Sequence, residues 1–236
     1  MAIGGWVIQR ARRILHVRTF LIFGFVLGVL ALEGGCSSRE SKPASRLNVV
    51  LVIFDAARAD HFGSYGYGRD TTPIADAFAT EAMRYETVIS EAPFTFLSMS
   101  SLMTAGSPAV TGLVGRAGAI VPSELELVSE TAQAAGFATL AYSENPFVTA
   151  DFGLAQGFEY FEEVFPVEDY RQQKDLDPTI DSGARLAAIL EKAAGESERP
   201  FFLFAHLLRP HNPYAPPAPF AGRFGSVPED FPKGGT

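Results

Sequence analysis

The sequence of 236 residues contains a single cysteine, Cys36, so no disulfide can form within the chain. Positive charge is scarce as well: 19 lysines and arginines stand against 27 aspartates and glutamates, for a formal charge of −8. Arg10, Arg12, Arg13 and Arg18 face only Glu33 in the first 35 residues, and that net +3 leaves −11 on the rest. A body that acidic argues against nucleic acid as a partner. No apolar run reaches the ~18 to 20 residues that make a confident membrane span; residues 19–32 fall short of it. What the chain does have is material for a core. Hydrophobic residues make up 47% and charged residues 19%, the balance of a globular protein, and the length suits one α/β domain or two small ones.

A basic stretch over residues 1–18 followed by the apolar run at 19–32 has the form of an export signal. Cys36 follows Leu32-Glu33-Gly34-Gly35, which is similar to a bacterial lipoprotein cleavage box, with Glu33 where such boxes usually carry an apolar residue. Uncleaved, the same run would serve as a short N-terminal anchor; the plainest alternative is an apolar N-terminal helix with no targeting role. Arg12-Arg13 loosely resembles a twin-arginine signal. The expected organisation is a signal peptide or anchor at 1–35, a polar linker with Pro43 at 36–46, and one domain at 47–236. The protein is expected to be exported, periplasmic or on the cell envelope, and tethered to the membrane through the anchor or a lipid.

Residues 47–60, LNVVLVIFDAARAD, run six branched or aromatic apolar residues, 49–54, into Asp55 and then turn polar. Such a run suits a strand buried on both faces of a parallel sheet, and ligands collect at the carboxyl ends of those strands. Asp55 is therefore a candidate metal ligand or general base; it could equally cap a helix begun by Ala56, Ala57 and Arg58. Three glycines within residues 63–68 require a loop, and Thr72-Pro73 opens a helix expected to run to about Arg84. Residues 85–90 read as a short strand.

In residues 92–106, Pro93 and Phe94 fix an extended entry, Thr95 is placed to cap, and 96–103 can be helical. A hydroxyl at a helix N-terminus has backbone N–H groups and the positive dipole end nearby, which favours a developing alkoxide and an anionic substrate. The plainer reading makes Thr95 only a cap, with Ser98, Ser100 and Ser101 on a packed face. Ser123-Glu124-Leu125-Glu126 fits a capping box for a helix ending near Ala135 and Gly136. Residues 137–142 read as a second buried strand, 147–164 as a surface loop, and Asp177-Pro178 as the start of a helix to about Ala194. Residues 201–205 are a third buried strand. It delivers His206, and then His211 between Pro210 and Pro213, to the same kind of rim; either histidine could instead be a hydrogen-bonded structural residue.

Three blocks in this order resemble the N-terminal part of the sulfatase family, within the alkaline phosphatase superfamily. They are NVVLVIFDAARADH at 48–61 with Gly63-Ser64-Tyr65-Gly66-Tyr67 and Thr72-Pro73; Ala92-Pro93-Phe94-Thr95 with Ser101-Leu102-Met103-Thr104; and FFLFAHLLRPHNPYAPP at 201–217. The resemblance implies an α/β fold of the alkaline phosphatase type, a mostly parallel central sheet with helices on both faces. It also implies a hydrolase of sulfate (sulfuric) esters that depends on a divalent cation, calcium first, with manganese, magnesium or zinc as alternatives. Carried over by position, Asp55 matches the metal-binding acid, Thr95 the nucleophile, and His211 a histidine that contacts the anionic group being transferred. His206 matches a substrate-side histidine common in membrane-associated members. A sulfate or phosphate ester is the implied substrate, on a glycan or a lipid head group.

The departures shape the expectation further. The family makes formylglycine from cysteine or serine in a C/S-x-P-x-R pattern, whereas residues 95–99 read Thr-Phe-Leu-Ser-Met, so no formylglycine is expected. Threonine at this place is similar to the phosphoglycerol and phosphoethanolamine transferases and the phosphodiesterases of the superfamily. Ser143-Glu144-Asn145 stands where the family has a lysine and histidine motif, and Glu229 and Asp230 do not replace the later Asp-His or Asp-Asn metal ligands. The sequence is thus expected to be the front part of a larger enzyme, incomplete at its C-terminus. The contrasting expectation is a non-catalytic remnant or a binder of anionic ligands.

Overall fold

The computed structural model describes residues 47–113, 119–164, 180–195, 199–211, 216 and 218–225. The leader and linker with Cys36, the start of the helix expected at Asp177-Pro178, and Pro213, Glu229 and Asp230 lie outside these residues.

The predicted apolar runs become strands of one parallel sheet. β1 is Val49–Phe54, β2 is Ala138–Ser143, β3 is Tyr160–Glu163 and β4 is Phe201–Leu207, in the spatial order β1-β4-β2-β3. β4 pairs with both β1 and β2, in a register that sets Ile53 and Ser143 on either side of His206. Three carboxyl ends therefore finish at one level. All-parallel pairing needs covering on both faces, because the strands are joined by crossovers that lay helices there.

One face is covered by helix α1 (Thr95–Thr104) and helix α2 (Val128–Ala134). Phe96, Met99 and Met103 of α1 pack with Leu127, Val148 and Leu154 onto Ala141, Phe202 and Phe204. The other face is covered by α3 (Ser182–Gly195), whose Ile189 and Ala193 meet Leu140, Tyr142, Phe201 and Leu203. The period-2 alternation along β4 thus feeds both cores, Phe202 and Phe204 to one and Phe201 and Leu203 to the other. The α/β architecture with helices on both faces agrees with the fold expected from the sequence.

Several local expectations are corrected. β1 was expected to be buried on both faces, but it pairs with β4 alone among the described residues, and Val49, Val50, Val52 and Phe54 are 40% to 49% exposed. Residues 85–90 form no strand. The helix opened by Thr72-Pro73 spans only Pro73–Ala79. The capping box sits four residues further along, where the Glu130 carboxylate accepts the Leu127 N–H at 2.8 Å. Within residues 147–164, read as loop, β3 adds a fourth strand beside β2. Among the described residues no helix is long and apolar enough to cross a membrane.

Candidate functional site

The backbone N–H of Asp55 donates to the Leu207 carbonyl at 2.9 Å, extending the β1–β4 ladder by one bond and fixing where the carboxylate emerges. Immediately after it the chain turns through Ala56 at φ 55°, a left-handed conformation that costs a residue with a Cβ of the order of 1 kcal/mol. The ladder and the turn together aim Asp55 at the rim.

Thr95 reaches the same point from α1. It is the first residue of that helix, with Phe94 as the N-cap in extended conformation (φ −139°, ψ 130°), and no side chain caps the end. The expectation that Thr95 is the cap is thereby corrected. Its hydroxyl instead donates to Asp55 Oδ2 at 3.4 Å, a long and therefore weak hydrogen bond. The rest of α1 explains why the threonine is held there: Phe96, Met99 and Met103 anchor one face in the core, and Ser100 returns its hydroxyl to the Phe96 carbonyl at 2.6 Å. Ser100 and Ser101 are buried, as expected of a packed face, and Ser98 is bonded to Ser90.

The third contribution comes from the end of β2 and was not foreseen in that role. Asn145, 3% exposed, donates from Nδ2 to Asp55 Oδ2 at 2.6 Å, while its Oδ1 accepts the Phe147 N–H at 2.8 Å. That second bond fixes which end of the amide faces the carboxylate, because only an oxygen can accept from a backbone N–H. Glu144 points the other way. Its carboxylate, 1% exposed, accepts the Leu208 N–H at 2.9 Å, the Tyr142 hydroxyl at 2.9 Å and the Ser182 hydroxyl, which ties β2, β4 and α3 together beneath the rim. The Glu144 charge also pushes the Tyr142 phenol well above its usual range, an effect second to that of burial. The sequence signal available for Asn145 is its place two residues past a buried strand, close to the strand-end position that Asp55 occupies.

His206 lies within β4 at the level of Ser143 and is 1% exposed, with no hydrogen-bond partner for Nδ1 among the described residues. Burial pulls its pKa down to about 4, against the opposing negative charges of Asp55 and Glu144 and with a smaller downward push from His211. His206 is therefore a neutral imidazole at neutral pH. His211 follows on the turn after β4, half-buried, with its N–H donating to the Leu208 carbonyl at 2.8 Å. Asp55 and Thr95 are thus brought into direct contact. His206 pairs with Ile53, two residues before Asp55, and His211 lies five residues after His206.

The residues described do not by themselves complete a cation site. They contain no group of three or more His, Cys, Asp or Glu side chains able to hold a metal ion, whereas calcium takes six to eight oxygens. Asp55 and the Thr95 hydroxyl would supply only part of such a shell.

A family model described as Sulfatase matches residues 47–231 of the chain. Over 58 residues, 25% of this chain and 11% of the relative, the sequence is 38% identical to YhbX of Escherichia coli (strain K12), whose name attaches to it a transferase activity not yet established. The phosphonate monoester hydrolase of Agrobacterium radiobacter has a similar fold, with a TM-score of 0.59 at 20% identity over 74% of this chain and 43% of that one. The C-terminal periplasmic domain of EcEptC from Escherichia coli, solved in complex with Zn, gives 0.58 at 17% identity over 82% of this chain and 52% of that one. The chain thus spans about half, or less, of the length of the proteins it resembles.

Proposed function

The chain belongs to the sulfatase family, and on that premise we propose that it acts on sulfate or phosphate esters with Thr95 as the nucleophile. The observation that carries this reading is the Thr95 hydroxyl, at the first residue of α1, directed at the Asp55 carboxylate 3.4 Å away. The helix N-terminus offers unpaired backbone N–H groups to an anion, and a hydroxyl held there is favoured as it develops negative charge.

In this reading the Thr95 oxygen attacks the sulfur or phosphorus in line with the departing ester oxygen, its proton passes toward Asp55 Oδ2, and the ester oxygen leaves as the alcohol with a proton from solvent. Water then releases the group in a hydrolase. His211 hydrogen-bonds the group being transferred, and His206, neutral and buried, lines the site from behind the rim on the substrate side. Asp55 is in addition proposed as one ligand of a divalent cation, calcium in the first place; because the described residues leave its shell incomplete, no step is routed through it. The substrate class extends to sulfated glycans or phosphate-bearing lipid head groups at an exported, membrane-tethered location.

A transferase is the second reading. It is favoured by a threonine where formylglycine would need cysteine or serine, and by the transferase name carried by YhbX. An acceptor hydroxyl would then take the place of water. Turnover of p-nitrophenyl sulfate, p-nitrophenyl phosphate and bis(p-nitrophenyl) phosphate, with calcium, manganese or zinc supplied in turn, tests both. Turnover of at least one ester is expected, with Thr95→Ala reducing it by ~10³-fold or more, the scale seen when a nucleophile is removed. Unchanged turnover in the variant removes Thr95 from its role, and no turnover of any ester favours the non-catalytic reading.

A further inference from the structure

We propose that Asn145 is the positioning residue of this site, setting which oxygen of Asp55 is presented to the Thr95 hydroxyl. The proposal rests on the functional reading above.

Two donors converge on one atom. Asn145 Nδ2 lies 2.6 Å from Asp55 Oδ2, and Thr95 Oγ1 lies 3.4 Å from that same oxygen. The short bond comes from an amide that has no freedom to turn away. Asn145 is almost completely buried, its Oδ1 is committed to the Phe147 N–H, its backbone N–H donates to Ser143 Oγ at 3.3 Å, and its carbonyl accepts the Val148 N–H at 2.9 Å. The longer bond comes from a hydroxyl on the adjoining helix. With Oδ2 gripped by Asn145, the carboxylate is held in one rotamer with that oxygen beside the Thr95 hydroxyl. Attack uses a lone pair of Oγ1 while the O–H stays directed at Oδ2, so whatever fixes Oδ2 fixes the acceptor of the proton in that step.

Removing the amide predicts a specific fault. Asp55 Oδ2 loses its short partner and the carboxylate gains freedom to rotate, so the acceptor of the Thr95 proton is no longer held in line with the hydroxyl. The chemical step suffers more than substrate binding. Partners of this kind, which orient a reacting group without touching the substrate, are commonly worth about 10- to 100-fold.

The test compares wild type, Asn145→Ala, Asp55→Ala and the double variant by kcat and KM on whichever of the three esters the wild type turns over, with thermal unfolding of each chain. The expected result is a kcat lower by 10- to 100-fold in Asn145→Ala with KM within threefold, and no further loss when the alteration is added to Asp55→Ala. Should Asn145→Ala melt below the assay temperature, Asn145→Ser is read by the same criteria. An Asn145 variant that folds and keeps the wild-type kcat, or whose loss simply adds to that of Asp55→Ala, overturns the proposal while leaving Thr95 in place. A wild type inert on every ester, or an active one indifferent to Thr95→Ala, overturns the functional reading first and the role of Asn145 with it.

Discussion

β1 and β4 lie side by side, paired residue for residue from Val49 with Phe202 to Phe54 with Leu207, and both are almost unbroken apolar sequences. Their surroundings differ. β4 has a strand on each side and is buried through His206, whereas β1 has one neighbour among the described residues and leaves four large apolar side chains 40% to 49% exposed. Burial is set by the number of neighbours an element acquires, with composition only permitting it. The same contrast runs through the site. The groups from the inner strands, Glu144, Asn145 and His206, are buried and fixed, while Asp55 on the outer strand, Thr95 and His211 are half-buried and face the rim. The inner strands supply the frame, and the groups proposed to react stand at its edge.

The largest effect that would break this comparison comes from truncating one phenylalanine on each strand. Phe204→Ala removes a ring from the core beneath α1 and should cost ~3 to 5 kcal/mol of unfolding free energy, enough to unfold a marginal domain. Phe54→Ala, on the exposed strand, should cost under ~1 kcal/mol. Urea unfolding of the two variants measures the difference, and equal losses would mean that β1 is covered in solution as well as β4 is.

A second, smaller contrast concerns pH. His206 has a folded pKa of about 4 against an ordinary 6.5, so the folded state binds its proton less readily than the unfolded state does. Its contribution to stability is present above pH 6.5 and is lost as the pH falls from there toward 4, by up to ~3 kcal/mol. Denaturant midpoints measured in chelator between pH 7.5 and 4 should fall, and the fall should shrink in His206→Gln. An identical slope in that variant would place the sensitivity elsewhere.

Much of this division is illegible in the sequence, for definite reasons. The apolar runs at 49–54, 138–143 and 201–207 announce strands because their residues cannot be left in water, but a run does not name its neighbours, so the edge position of β1 was hidden. β3 was lost inside an aromatic, glycine-bearing stretch; its YFEE sequence carries charge because the strand lies beside β2 alone among the described residues. Thr95 was legible as a hydroxyl at a helix start. That it engages Asp55 instead of capping depends on the chain folding back over a separation of 40 residues, which local chemistry does not encode. Asn145 had been noted only for not being a lysine or a histidine. Its bond to Asp55 exists because β4 lies between β1 and β2 and brings their carboxyl ends to one level.

The smallest predicted effect sharpens the comparison at its outer edge. Val52→Lys places a charge on the exposed strand; stability should shift by no more than ~0.5 kcal/mol, because the side chain is already partly in water. Self-association measured by sedimentation should decrease, since exposed apolar edge strands are natural sites of pairing and a lysine there opposes it. A loss of stability as large as that of Phe204→Ala would show that the edge is packed.

The central claim is that Thr95, held by α1 at the Asp55 carboxylate, takes the transferred group. It is tested most directly by acid-quenching the chain during turnover of p-nitrophenyl sulfate and p-nitrophenyl phosphate and locating any adduct by peptide mass spectrometry. The account predicts one sulfuryl or phosphoryl group on the peptide containing Thr95, absent from Thr95→Ala. Turnover in which that peptide stays unmodified, with the adduct on another residue, would contradict it.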